Sequence, residues 1–155
     1  VNPELHNLYV LEVKKALSAL VADFDIVLTM PNSDTNGVIY RQMYNELHAK
    51  YSDNIFLIEN FGLQSYFSCM KYADLIIGNS SSGISEAASF AKYVVNIGNR
   101  QNGRVFGENV ISVGFDSENI IETVGRVFSF GSFNGENIYF KPNSLKIVMN
   151  TILNA

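Results

Sequence analysis

Gly78-Asn79-Ser80-Ser81-Ser82-Gly83, with Glu86 just beyond it, and Gly98-Asn99-Arg100-Gln101-Asn102-Gly103-Arg104 further along concentrate the groups that bind an oxyanion. Serine hydroxyls donate hydrogen bonds, glycines let backbone come close to a ligand, and an arginine takes a phosphate through two parallel bonds. The apolar run Leu75-Ile76-Ile77 before the serines and the helix formers after them read as strand, tight turn and helix start. A helix start presents free N–H groups and the positive end of its dipole. The chemistry these residues suit is the grip on a diphosphate. The alternative is a capped helix start and two solvated arginines, although three consecutive serines exceed what one cap needs. The turn is neither a Walker loop, lacking Gly-Lys-Ser/Thr, nor the dinucleotide pattern of three spaced glycines.

Other polar residues admit two readings. Glu86, about one turn into the expected helix, either favours the helix dipole or accepts hydrogen bonds from ribose hydroxyls. Asn32 and Asp34 stand in Pro31-Asn32-Ser33-Asp34, a turn sequence in which Asn and Asp ordinarily bond their own backbone. His6 and His48 read as surface histidines, remote from other metal-ligand types, and no His/Cys cluster has zinc spacing. No nucleophile–His–acid set and no acid–base pair appear at the strand ends.

The elements that position these groups alternate. Helical spacing of Leu5, Leu8, Val13, Ala16, Leu17 and Leu20 predicts a helix from about 4 to 22. Strands are expected at 26–30, 55–58, 75–77, 93–97 and 110–113, and further helices at about 38–50, 63–71, from 116 or 117 to about 130, and 142–153, the last after a Gly/Ser/Asn-rich link. Short apolar strands alternating with helices make βαβ units, hence an α/β, Rossmann-like parallel sheet with helices on both faces. The polar clusters 31–37, 60–62, 78–83 and 98–104 all follow strands. They should line one edge of the domain, where such sheets bind ligands.

The chain has 155 residues, enough for one domain with a full core, and no repeat or second domain is visible within 1–155. Apolar residues make up 47% and charged residues 17%, a globular composition. A net charge of -4 gives no electrostatic reason to expect nucleic acid or an anionic membrane surface. The single cysteine, Cys69, reads as a reduced, buried thiol. No apolar run approaches the ~20 residues of a membrane span, and the first residues lack a signal pattern, so a cytoplasmic setting is expected.

GNSSSGISEAASF, VVNIGNRQNGRVFGENVISV and MPNSDTNG together closely resemble the hydrolysing UDP-N-acetylglucosamine 2-epimerases, over about Asp25 to Ile152. These enzymes convert UDP-GlcNAc and water to N-acetylmannosamine and UDP, on routes to sialic acids and related sugars. Weaker similarity extends to the non-hydrolysing epimerases and to GT-B glycosyltransferases, whose two Rossmann-like halves face each other across a cleft. The resemblance implies that Ser80 and Ser81 hold the UDP phosphates, Glu86 takes the ribose hydroxyls, and main-chain atoms at Phe61 contact uracil. It implies that Asn32 reaches the nucleotide or sugar and that Arg100 lies at the nucleotide site. Asp34, Gln101 and Arg104 belong to the same signatures without an assigned role.

Two differences stand out. Such enzymes commonly carry Tyr-Gly-Asp-Gly near the C-terminus, where this chain has Tyr139-Phe140-Lys141-Pro142. Animal members bind a feedback nucleotide-sugar with basic residues, whereas the corresponding loops here read Val38, Lys50, Glu59 and Asn60, which argues against the same regulation.

The resemblance also implies an N-terminal half, absent here, that holds the catalytic carboxylates. The chain is accordingly expected to be the C-terminal, UDP-binding half, inactive alone. No cofactor is implied. The expected partners are UDP or UDP-GlcNAc, the N-terminal half and, in the intact enzyme, further copies of itself. Two other readings predict nucleotide-sugar binding as well: a GT-B donor domain and a free-standing binding module.

Overall fold

The structure is a computed structural model that describes residues 3–31 and 35–154. Helix α1 (Pro3–Leu20) leads into strand β1 (Ile26–Thr29), then α2 (Thr35–Lys50), β2 (Ile55–Ile58), α3 (Gly62–Tyr72) and β3 (Leu75–Gly78). A short α4 (Ser81–Ser85) runs into a 3-10 turn (Ala87–Phe90), followed by β4 (Tyr93–Ile97), β5 (Val110–Val113), α5 (Ser117–Phe128) and α6 (Ser144–Leu153). The expected alternation is present; β2, β4 and β5 have the bounds expected from sequence, β1 ends one residue earlier, and β3 takes in Gly78. Helix α5 begins where Asp116 caps it, accepting from the Asn119 N–H at 2.8 Å.

Every strand pairing is parallel. In β4, Val94 packs with Met70 and Ala87 on the face toward α3, while Val95 and Ile97 join α1 and α5 on the other face. Alternate side chains of one strand therefore reach opposite helical layers, as strands buried on both faces require. Residues at helical spacing on α1 (Val10, Val13, Leu17, Leu20) and on α5 (Ile120, Val124, Val127) fill the larger core. Burying each such aliphatic side chain contributes ~1.5–3 kcal/mol.

The expected single sheet is divided. Strands β1 and β2 pair as a two-stranded ribbon, and β3, β4 and β5 form a separate three-stranded sheet. Residues of β1 and β3 border a largely apolar cavity of about 520 Å³, which also reaches Phe61, Tyr66 and Cys69 of the α3 region. The register partners Val27, which lines this cavity, and Phe56 are both exposed. Helix α6 has no buried residue: Leu145, Ile147, Val148, Ile152 and Leu153 all face outward. No described helix is long and apolar enough to cross a membrane.

Candidate functional site

Because the strands are parallel, the segments that follow them converge at one edge. Gly78 ends β3 at φ +141, a conformation that side chains resist, and Ser80 then stands extended as the N-cap of α4. The Ser80 hydroxyl accepts the Ser82 N–H at 3.4 Å, and its oxygen lies 3.0 Å from Ser82 Oγ. Tyr66 Oη is hydrogen-bonded to Ser82 Oγ from α3. Ser80 and Ser81 are exposed, and Ser80 stands at the cavity's border. Gly83 holds the turn down on the sheet, since a Cβ there would lie 3.1 Å from Val94 Cγ1. The serines are therefore open toward a hollow.

The helix behind them differs from expectation. It has five residues and gives way to the 3-10 turn, so little helix dipole backs the serines. Glu86 sits at the junction, where its side chain caps neither segment. The dipole reading of Glu86 therefore fails. One of its carboxylate oxygens is buried without a hydrogen-bond partner among the described residues. Desolvation raises its pKa, against its own backbone N–H and the attraction of Arg104. Glu86 is thus a half-buried acid with one unmet oxygen in the segment that follows the three serines.

The arginine loop is locked to the serine turn. Gln101, 5% exposed, donates its side-chain amide to Asn79 O at 2.7 Å. Asn96, buried at the end of β4, donates to Ser112 Oγ at 3.1 Å and to Gly98 O at 3.4 Å. Gly98 turns at φ +78 so close to Phe115 that a Cβ would lie 2.4 Å from its ring. Arg100 and Arg104 are exposed, and neither forms an ion pair among the described residues. The loop that carries both guanidiniums is thus tied to the serine turn; Arg104 feels the Glu86 carboxylate, and Arg100 has no acidic partner among the described residues.

Phe61 precedes α3, borders the same cavity and has its ring centroid 6.2 Å from that of Tyr66. Arg41 of α2 joins the neighbouring loops: it donates to both Glu59 carboxylate oxygens at 2.6 and 2.8 Å and to Pro31 O at 3.3 Å. Asn32 and Asp34 lie outside the described residues. Phe61, Ser80, Ser81, Glu86 and Arg100 all fall on segments that follow β2, β3 or β4.

Several sequence readings need correction. His48 is half-buried and its Nδ1 lies 2.6 Å from Ile55 O, while His6 is half-buried edge-on against Tyr40. Neither is a plain surface histidine. Cys69 is half-buried beside the cavity rather than enclosed. Among the described residues no group of three His, Cys, Asp or Glu could hold a metal ion. Tyr139 donates to Val105 O at 2.7 Å, and Asn137 donates to Ser85 O at 2.8 Å and Ser89 Oγ at 2.7 Å. The link before α6 is therefore fastened beside the serine segment. Sequence reasoning missed Tyr66, whose place in an aromatic helix suggests core packing alone, and gave Gln101 no role.

The chain is 39% identical over 102 residues to the GDP/UDP-N,N'-diacetylbacillosamine 2-epimerase (hydrolyzing) of Campylobacter jejuni, covering 64% of this chain and 27% of that protein. It is 41% identical over 96 residues to the UDP-N,N'-diacetylbacillosamine 2-epimerase (hydrolyzing) of Legionella pneumophila, covering 62% of this chain and 25% of that one. Its fold matches the crystal structure of UDP-GlcNAc 2-epimerase from Neisseria meningitidis bound to UDP-GlcNAc. That match has a TM-score of 0.62 at 22% identity, over 96% of this chain and 41% of that one. The chain thus spans well under half the length of these relatives. The profile of the UDP-N-acetylglucosamine 2-epimerase family matches residues 4–153, nearly the whole chain. With its serine turn and arginine loop set at one edge of a Rossmann-like domain, the chain belongs to the UDP-N-acetylglucosamine 2-epimerase family.

Proposed function

We propose that this chain is the UDP-binding, C-terminal half of a hydrolysing UDP-2-acetamido-sugar 2-epimerase, with UDP-GlcNAc the simplest substrate. The observation that carries the reading is the serine turn, with Ser80 and Ser81 exposed, clamped through Gln101 and Asn79 to the loop that carries the exposed Arg100 and Arg104. In the intact enzyme, UDP would leave by elimination to give a 2-acetamidoglucal, and hydration would give the free 2-epimer. Hydroxyls and guanidiniums fixed where the departing diphosphate gains charge would lower that barrier electrostatically. The remaining half would bring the carboxylates that move protons, after closing over the substrate. The two relatives named for diacetylbacillosamine nucleotides support a UDP-linked 2-acetamido sugar as the substrate class. A cytoplasmic, homo-oligomeric enzyme serving amino-sugar biosynthesis completes the proposal.

Isothermal titration of the 155-residue chain with UDP tests the binding claim. Weak saturable binding is expected, and silence at millimolar UDP would refute it. Assay of the full-length parent for free 2-epimer, with no sugar acceptor present, separates hydrolytic epimerisation from glycosyl transfer. Turnover is expected from the parent and none from the 155-residue chain.

A further inference from the structure

The hydroxyls of Tyr66, Ser82 and Ser80 form a continuous chain that starts beside the apolar cavity and ends at the exposed serine. A hydroxyl has one proton to donate and two lone pairs that accept. The chain can therefore be polarised in either of two directions. If Ser80 donates to Ser82 and Ser82 to Tyr66, the tyrosine proton must find an acceptor other than the serines. Among the described residues Tyr66 Oη has no second partner, so in that arrangement its proton faces a largely apolar lining with no protein acceptor, which is unfavourable. If instead Tyr66 donates to Ser82 and Ser82 to Ser80, every internal proton is used. Ser80 Oγ then accepts both the Ser82 hydroxyl and the Ser82 N–H, and its own proton is directed outward. An acceptor outside the chain further strengthens each bond behind it.

We propose that Tyr66 is a positioning residue of the anion site: acting through Ser82, its hydroxyl fixes Ser80 as a donor to a phosphate oxygen. This inference rests on the UDP reading above. Tyr66 touches no substrate atom in this account. Its ring also packs near Phe61 and Phe67, with centroids 6.2 and 5.9 Å away, so the test must separate the hydroxyl from the ring.

Tyr66→Phe removes the hydroxyl and keeps the ring. Binding of UDP and of uridine to the 155-residue chain is measured by ligand-observed NMR for wild type, Tyr66→Phe, Ser82→Ala, Ser80→Ala and the Tyr66→Phe/Ser80→Ala pair. Tyr66→Phe and Ser82→Ala should each weaken UDP about 5- to 10-fold and leave uridine unchanged. The pair should be no worse than Ser80→Ala alone, because Tyr66 acts only through Ser80. Unaltered UDP binding by Tyr66→Phe overturns the inference. So does an equal loss for uridine, which would mark a packing effect, or additive losses in the pair. Absence of UDP binding by wild type overturns the functional reading and this inference together, whereas the other failures leave that reading standing.

Discussion

Gln101 and Asn79 meet through a 2.7 Å hydrogen bond from a buried side-chain amide to a main-chain oxygen, joining the loop after β4 to the turn after β3. The bond fixes Arg100 and Arg104 relative to Ser80 and Ser81 before any ligand arrives, and such preorganisation reduces the ordering that binding would otherwise require. Replacing Gln101 with leucine leaves the Asn79 carbonyl without this donor and should cost about 1–3 kcal/mol of stability. UDP affinity should fall as well, with the loss appearing mainly as a less favourable binding entropy, because the two loops must then be ordered when the ligand binds. Urea denaturation and calorimetric titration of Gln101→Leu read both quantities. An unchanged midpoint together with unchanged affinity would show that the clamp is incidental.

Glu86 carries a conflict between stability and binding. Its folded-state pKa is raised, chiefly by desolvation. Its contribution to stability is therefore complete below the ordinary carboxyl range and is lost as pH rises through the raised value. Glutamine mimics the protonated form. Glu86→Gln should match wild type in acid and become the more stable of the two as pH approaches neutrality, while binding UDP roughly tenfold more weakly. Denaturation midpoints across pH, with UDP titrations at neutral pH, check both signs. A variant less stable than wild type at neutral pH would show that the carboxylate is structural.

Far from the site, Glu12 ties α1 to the start of α5. It accepts the Ser117 N–H at 2.9 Å and pairs with Lys15 at 2.6 Å. Hydrogen bonds from Lys15 and then Ser117 lower its pKa from 4.5 to about 2. The sign is opposite to that of Glu86: the stabilisation is present above the ordinary carboxyl value and disappears as pH falls through about 2. Glu12→Gln should flatten the loss of stability over that acid window. An identical acid titration of stability in wild type and variant would contradict the assignment.

The sequence exposes what is local. Ile55–Ile58, Tyr93–Ile97 and Val110–Val113 are apolar runs closed by polar or glycine-rich segments, so their bounds are readable without tertiary information. The division between β1 and β3 is not, because it depends on tertiary packing between two strands that are distant in the chain. The helix formers Glu86-Ala87-Ala88 suggest a long helix, yet tertiary contacts override propensity. Gly83 is pressed on Val94, and Ala91 turns left-handed at φ 58 to end the 3-10 turn. In the site, Ser80, Ser81 and Arg100 are legible because their types suit an anion whatever surrounds them. Tyr66 and Gln101 act through contacts made across the fold, with Ser82 and Asn79 respectively, and residue type alone does not announce such contacts.

The central claim is that a pyrophosphate is held at the serine turn, and amide-resolved NMR of the 15N-labelled 155-residue chain titrated with UDP reads it directly. The account predicts saturable shifts at the amides of Ser80, Ser81, Ser82 and Arg100, with much smaller changes there when uridine replaces UDP. Shifts that avoid these residues, or that uridine reproduces in full, would contradict it.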